Sequence, residues 1–180
     1  GLDVREYALD PPSFLQTADG VLEAVDTTTR AVFVNTPHNP TGSIMNAAEQ
    51  RRLAEALAVR GIVLIVDEVY HPLYFSGDVA GAAALPNTIV LGDFAKAMSL
   101  PGLRIGWLID RDARRREALV DARSYFTISG SPLTEAIGAL AMTHADAILG
   151  KLRDIARANL ALLDAFMDRR EVPPPHEWLD

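Results

Sequence analysis

One short segment constrains the fold of this 180-residue chain more than any other feature: five consecutive apolar residues, followed directly by two acidic ones. Residues 62–66 are mostly β-branched, and Asp67 and Glu68 follow them directly. A short run with no polar interruption is typical of a strand that is buried on both faces, as in a parallel sheet between layers of helices. The run therefore predicts an α/β fold with two carboxylates at the end of a central strand.

Strand-like and helix-like segments alternate on both sides of this run. Further strands are predicted at residues 2–9, 31–35, 88–91 and 104–109. Helices are predicted at about residues 17–25, 46–60, 110–124, 131–149 and 152–168. Such an alternation predicts an α/β domain with a mostly parallel sheet and flanking helices.

The best-defined helix is predicted between Asn46 and Arg60. Asn46 is a residue that caps helices, and Glu49 three positions later completes the pattern of a capping box. Gly61 supplies the left-handed residue at which many helices end. Both limits of this helix are thus predicted from local chemistry alone.

The composition excludes several classes of function. Hydrophobic residues make up 49% of the chain and charged residues 23%, which is typical of a globular protein. A net charge of −7 disfavours nucleic acid as a partner, because a phosphate backbone requires a basic surface. The chain has no cysteine and no apolar stretch of membrane-spanning length, and its histidines lack the spacing of metal ligands. We therefore expect a cytoplasmic protein with no membrane partner and no metal.

Three polar segments follow three of the predicted strands. Asn-Thr-Pro-His-Asn-Pro-Thr-Gly occupies residues 35–42, Asp-Glu-Val-Tyr occupies 67–70, and Asp-Phe-Ala-Lys occupies 93–96. In open α/β sheets, ligands bind beyond the carboxyl ends of the strands. We therefore expect the three segments to converge on one rim and to form a binding site there.

Lys96 and Arg104 are the clearest candidates for functional residues. A lysine in a half-buried, partly cationic pocket loses proton affinity and becomes an amine nucleophile for a carbonyl compound. Arg104 lies eight positions further on, and a guanidinium is planar, always charged and able to hold a phosphate through two hydrogen bonds. Each residue also has an ordinary interpretation, as a surface lysine in a turn and as an arginine at a strand edge.

Three further candidates also have two interpretations each. Asp67 is costly at the end of an apolar strand unless it is paired, but aspartate is also a common helix cap. Asn39 lies in an Asn-Pro-Thr-Gly sequence that forms turns by itself. Tyr70 is either a ligand contact or a packed aromatic residue with a satisfied hydroxyl group.

In this order along the chain, the motifs resemble those of a known family. Three motifs are similar to those in the large domain of the class I and II aminotransferases. They are His-Asn-Pro-Thr-Gly at 38–42, Asp-Glu-Val-Tyr at 67–70, and Lys96 followed by Arg104 and Gly106. These are fold-type-I enzymes that use pyridoxal phosphate (PLP). The resemblance implies a three-layer α/β/α domain with a mostly parallel sheet.

The resemblance also implies a role for each candidate residue. Lys96 would hold PLP as a Schiff base and later act as the catalytic acid and base. Asp67 would pair with the protonated ring nitrogen, and Asn39 and Tyr70 would contact the ring oxygen. Arg104 would bind the phosphate.

The implied activity is the transfer of an amino group between an amino acid and a 2-oxo acid, in a homodimer. Two alternatives remain open on the residues. The same fold supports other PLP reactions, including those of lyases, decarboxylases and oxidases. A regulator could also use such a domain to sense PLP without catalysis.

The sequence departs from the family pattern just before the lysine. Many relatives have two serines where this chain has Asp93 and Ala95, and those hydroxyls help to bind the phosphate. A carboxylate facing a phosphate repels it. Asp93 is therefore expected either to point away from the phosphate or to pair with Arg104.

The resemblance predicts three divisions of the chain. Residues 1–150 would form the PLP-binding large domain, with its N-terminal part missing. Residues 151–172 would form a long connector helix, and residues 173–180 a linker into a missing small domain.

Overall fold

The computed structural model describes residues 2–75 and 80–170. Its strands are β1 (Ala31–Asn35), β2 (Val63–Asp67), β3 (Thr88–Asp93) and β4 (Gly106–Asp110). Its α-helices are α1 (Ala18–Glu23), α2 (Ala47–Val59), α3 (Ala113–Ser124), α4 (Pro132–Thr143) and α5 (Ala145–Arg170). Two short 3-10 helices lie at Ala82–Ala84 and Pro101–Leu103. The expected α/β fold is confirmed.

The four strands form one sheet in the order β1-β2-β3-β4. The first three strands are parallel, whereas β4 runs antiparallel to β3. Asn35 is paired with Asp67 in the β1–β2 ladder, and Asp67 with Leu91 in the β2–β3 ladder. The parallel strands consequently end at one edge of the sheet, which we call the carboxyl edge.

The main core lies between the sheet and helices α1 and α2. Val34, Leu64 and Val66, from one face of β1 and β2, pack there against Leu53 and Leu57 of α2. On the other face of the same strands, Phe33 is 53% exposed and Ile65 is half-buried. The prediction that residues 62–66 are buried on both faces was therefore wrong within the described residues, because helices cover only one face of β2.

A second cluster of buried residues lies beside the end of β3. Phe94, Ala97 and Met98 pack there against Ala141 of α4 and Leu149 of α5. Helices α4 and α5 thus hold the segment that follows β3, which is the segment that contains Lys96.

The strand predicted at residues 2–9 was wrong. These residues have no regular secondary structure and pair with no strand in the part of the chain that the structure describes. Arg5 instead donates a hydrogen bond to the Ala24 carbonyl (3.2 Å) and forms an ion pair with Asp26 (2.7 Å). The segment is thus held by side-chain contacts near the end of α1.

The limits of α2 follow its local chemistry, with one difference. Asn46 Oδ1 accepts hydrogen bonds from the amides of Ala48 and Glu49, and Gly61 has a positive φ of 69°. Glu49 does not reach back to Asn46 as a capping box would require. Its carboxylate instead accepts a hydrogen bond from the Ala18 amide (2.5 Å), which joins α2 to α1.

The later helices begin and end at other residues than predicted. Asp112 caps α3, two residues after the predicted start of that helix at about residue 110, and α4 ends at Thr143. The last helix begins at Ala145, so the predicted domain boundary at residue 150 falls inside α5. The division into domains stays a prediction, and the linker at 173–180 lies outside the described residues. Among those described, no helix is both long and apolar enough to cross a membrane.

Candidate active site

Asn39 and Tyr70 meet at the carboxyl edge. Asn39 Nδ2 donates a hydrogen bond to the Tyr70 hydroxyl (3.3 Å). Asn39 lies in a turn closed by the bonds from the His38 amide to the Ser43 carbonyl (2.9 Å) and from the Gly42 amide to the His38 carbonyl (2.8 Å). A side-chain contact therefore joins the turn after β1 to the turn after β2, as the convergence of polar segments requires.

Asp67 ends β2 and is half-buried. Its Oδ1 accepts a hydrogen bond from the Val69 amide (3.1 Å), whereas Oδ2 has no donor among the described residues. The residues that follow form a turn and not a helix, so the interpretation of Asp67 as a helix cap was wrong. One carboxylate oxygen holds the turn and the other is left for a ligand.

Lys96 lies in a turn that is bound to the Asp67 turn through the backbone. The Ala97 amide donates to the Val69 carbonyl (3.1 Å). Lys96 itself is exposed, and its ammonium makes no hydrogen bond or ion pair with any described residue. Among the described residues, Lys96 therefore offers a free amine from a turn whose backbone is bonded to the turn that contains Asp67.

Local chemistry explains why Lys96 points outward. Phe94, Ala97 and Met98 on the same short segment are each about 95% buried, with 4–5% of their surface exposed, and they anchor it in the second core cluster. Asp93 Oδ1 accepts hydrogen bonds from the amides of Ala95 (2.9 Å) and Lys96 (3.1 Å). Anchors on either side therefore fix the turn and leave the lysine at the surface.

The structure also decides between the two interpretations of Asp93. Its Oδ1 caps the turn, and it forms no ion pair with Arg104 among the described contacts. Of the two alternatives, the bridge to Arg104 was wrong. Asp93 instead supplies an acceptor for backbone amides, a role that a serine hydroxyl can also fill.

Arg104 lies close to this turn through the start of β4. The Phe94 amide donates to the carbonyl of Ile105 (3.2 Å), the residue after Arg104. Arg104 has a positive φ of 54°, a conformation that costs an ordinary residue about 1–3 kcal/mol and that recurs at functional sites. Its exposed guanidinium makes one long hydrogen bond, to the Pro101 carbonyl (3.4 Å). Its other donors are available to an anion.

Sequence reasoning missed a second group of polar residues behind the Asp67 turn. Glu68 accepts a hydrogen bond from the Ala82 amide (2.6 Å), and burial raises the pKa of its carboxyl group. His71 Nδ1 lies 2.5 Å from the Tyr74 hydroxyl. The Glu68 bond holds the segment after β2 against the 3-10 helix at Ala82–Ala84, and the His71–Tyr74 contact lies within that segment. In the sequence, only the acidic pair at the strand end indicated these contacts.

The comparisons with known proteins point to one family. The family model for aminotransferase class I and II matches residues 1–172. Capreomycidine synthase of Streptomyces vinaceus is 33% identical over 162 residues, which cover 88% of this chain and 41% of that protein. A probable N-succinyldiaminopimelate aminotransferase of Mycobacterium tuberculosis is 35% identical over 163 residues, which cover 87% of this chain and 39% of that protein.

Two solved structures show the same fold. The N-succinyldiaminopimelate aminotransferase of Mycobacterium tuberculosis superimposes with a TM-score of 0.77 at 32% identity, over 94% of this chain and 43% of that one. A double mutant of the Thermus thermophilus aspartate aminotransferase gives a TM-score of 0.81 at 23% identity, over 88% and 43%. The chain therefore spans about two fifths of the length of these relatives. On the family match and the sequence relatives together, this chain belongs to the class I and II aminotransferases.

Proposed function

We propose that the protein is a PLP-dependent aminotransferase that moves an amino group between an amino acid and a 2-oxo acid. The observation that carries the proposal is the free Lys96 ammonium, held in a turn whose backbone is bonded to the Asp67–Tyr70 turn. The aminotransferase names of several relatives support the reaction type.

Five side chains at the carboxyl edge fit the chemistry of PLP one by one. The Lys96 amine suits an aldehyde, and the free oxygen of Asp67 suits a protonated ring nitrogen. The Asn39 amide and the Tyr70 hydroxyl suit the ring oxygen, and the guanidinium of Arg104 suits a phosphate. These five residues would hold the cofactor.

PLP supplies an electron sink when it is bound. The chain's own residues would do the rest. Lys96 Nζ would hold the cofactor's aldehyde carbon, whose oxygen leaves as water, until the amine of the substrate displaces it. The released neutral amine of Lys96 would then take a proton from the substrate's α-carbon. The Asp67 carboxylate would keep the ring nitrogen protonated. Arg104 and the Asn39–Tyr70 pair would fix the orientation of the ring.

We also propose that the protein acts in amino acid metabolism, as a cytoplasmic homodimer. This proposal rests on the family resemblance and on the amino acid names among the relatives. Light scattering on the purified protein would measure its mass, and a monomer at micromolar concentration would contradict the dimer.

The variant Lys96→Ala tests the proposed function. It should lower the transfer of an amino group to a 2-oxo acid by more than about a hundredfold, because it removes both the anchor and the proton carrier. Lys151→Ala is the matched control, since Lys151 is the chain's other lysine and is exposed on α5. Unaltered turnover in Lys96→Ala would contradict the proposal.

A further inference from the structure

We propose that Asn35 is a positioning residue that clamps the Asn39 turn to the end of β2 and so sets the geometry of the cofactor site. The inference rests on the proposed function, since it assigns Asn35 to the same site. Asn35 is the last residue of β1, is half-buried and is paired with Asp67 across the sheet.

Both ends of the Asn35 side-chain amide are used. Its Oδ1 accepts a hydrogen bond from the backbone amide of Asn39 (2.8 Å), and its Nδ2 donates to the carbonyl of Asp67 (3.2 Å). The partners fix the orientation of the amide, because one offers only a proton and the other only lone pairs. A flipped amide would lose both bonds.

These bonds complete a chain of contacts across the site. Asp67 is linked to Asn35, Asn35 to Asn39, and Asn39 to the Tyr70 hydroxyl. Three of these four residues are the proposed contacts of the cofactor ring. Both polar atoms of the Asn35 side chain form hydrogen bonds within the protein. Asn35 therefore acts through Asn39 and Asp67.

The sheet does not need Asn35 to hold β1 beside β2. The Thr36 amide already donates to the Asp67 carbonyl (3.0 Å) and continues the ladder. The bonds between His38 and Gly42 or Ser43 close the Asn39 turn on itself but do not attach it to β2. Asn35 adds the attachment, and its loss should move the turn more than it destabilises the fold.

The matched control is Asn87, an asparagine at the opposite end of the same sheet. Its Nδ2 donates to the Ile62 carbonyl (2.7 Å), and its Oδ1 accepts from Arg115 (2.7 Å). Like Asn35 it bridges two segments, but it lies away from the carboxyl edge. Asn87→Ala should lower the melting temperature and leave the cofactor site unchanged.

The experiment compares Asn35→Ala and Asn87→Ala with the unaltered protein by three measurements. These are amide hydrogen exchange at Asn39 without added cofactor, the dissociation constant for PLP, and the residue that becomes pyridoxylated after borohydride reduction. Asn35→Ala should speed exchange at Asn39 and weaken PLP binding, each by about five- to tenfold, with the adduct still on Lys96.

A second variant distinguishes the loss of the clamp from a general loss of folding. Asn35→Asp keeps an acceptor for the Asn39 amide, but it replaces the donor to the Asp67 carbonyl by a carboxylate oxygen that repels this carbonyl. It should retain slow exchange at Asn39, whereas Asn35→Ala should not. If Asn35 had only a structural role, both variants would lower the melting temperature and would show the same rate of amide hydrogen exchange at Asn39.

The outcomes separate this inference from the proposed function. If the unaltered protein forms the Lys96 adduct and Asn35→Ala matches it in exchange and in PLP affinity, the clamp is wrong and the function stands. If the unaltered protein forms no adduct on Lys96, the proposed function fails, and with it any cofactor role for Asn35.

Discussion

The two edges of the sheet use similar polar residues in opposite ways. At the edge where β3 begins and β4 ends, the Asp110 side chain is fully buried and receives two hydrogen bonds from Arg115, at 2.5 and 2.8 Å. At the carboxyl edge, Lys96 and Arg104 form no ion pair with any described residue. Charges that are paired inside the protein stabilise the fold, whereas charges held in place without a partner are available to a ligand.

The contrast extends to the asparagines. Asn87 donates a hydrogen bond to the Ile62 carbonyl at the start of the sheet and accepts one from Arg115, so its contacts lead to the Asp110–Arg115 ion pair. Asn35 also satisfies the backbone, but its contacts lead to Asn39 and Asp67, which keep free polar atoms. Substitutions at the two edges should therefore separate binding from stability.

Among the substitutions that contrast the two edges, the largest expected effect is on activity, from Asp67→Asn. The amide keeps an acceptor for the Val69 amide but loses the charge that would pair with the ring nitrogen. Breaking such a pair in a partly buried site should lower kcat by about a hundredfold or more, with the melting temperature nearly unchanged. Steady-state kinetics measure the effect, with Asp112→Asn, which alters only the cap of α3, as the control. Equal kcat values for the two variants would show that the Asp67 charge is not used.

The next effect is on stability, from Asp110→Asn. Removing one partner of this buried ion pair should lower the free energy of unfolding by about 3 kcal/mol and leave PLP binding unaltered. Urea unfolding and PLP titration measure the two quantities. A loss of PLP affinity without a loss of stability would reverse the roles assigned to the two edges.

The same ion pair predicts a pH dependence. Hydrogen bonds from Arg115 lower the pKa of Asp110 in the folded protein, so its contribution to stability is fully present above its unfolded pKa of about 3.9. That contribution is lost as the pH falls through the folded pKa. The stability difference between the unaltered protein and Asp110→Asn should therefore shrink below about pH 4, and a difference that grows there would contradict the assignment.

The smallest effect is expected from Asp93→Ser. A serine hydroxyl can still accept hydrogen bonds from the Ala95 and Lys96 amides, so stability should change by less than about 1 kcal/mol. PLP affinity should stay the same or rise, because a negative charge is removed near a phosphate site. Asp93→Ala is the comparison, since it removes the cap and should be the less stable of the two. A serine variant as unstable as the alanine variant would show that the carboxylate itself is required.

The sequence predicted the features that depend on neighbours along the chain. The apolar run at 62–66, the cap at Asn46 and the turn at Gly61 are local patterns, and the structure has β2 and α2 at nearly the predicted limits. The polar segments at 35–42 and 67–70 were expected to meet because parallel strands end at the same edge of a sheet, and they do meet. The roles of the five candidate residues come from the family resemblance and stay predictions.

Features that depend on distant contacts could not be predicted. Glu49 bonds to Ala18 rather than to its own helix end, and Arg115 bonds to Asn87, which lies far from it along the chain. The clamp by Asn35 requires knowing that the end of β1 lies beside Asp67. Local patterns give no partner for such side chains, because only the assembled sheet brings the partners within reach.

Borohydride reduction of the PLP-treated protein, followed by peptide mapping, tests most directly that the carboxyl edge is the binding edge. Lys96 and Lys151 are the only two lysines, so each serves as the other's control. We expect a pyridoxyl adduct on Lys96 and none on Lys151. An adduct on Lys151 alone, or equal labelling of both lysines, would contradict the account.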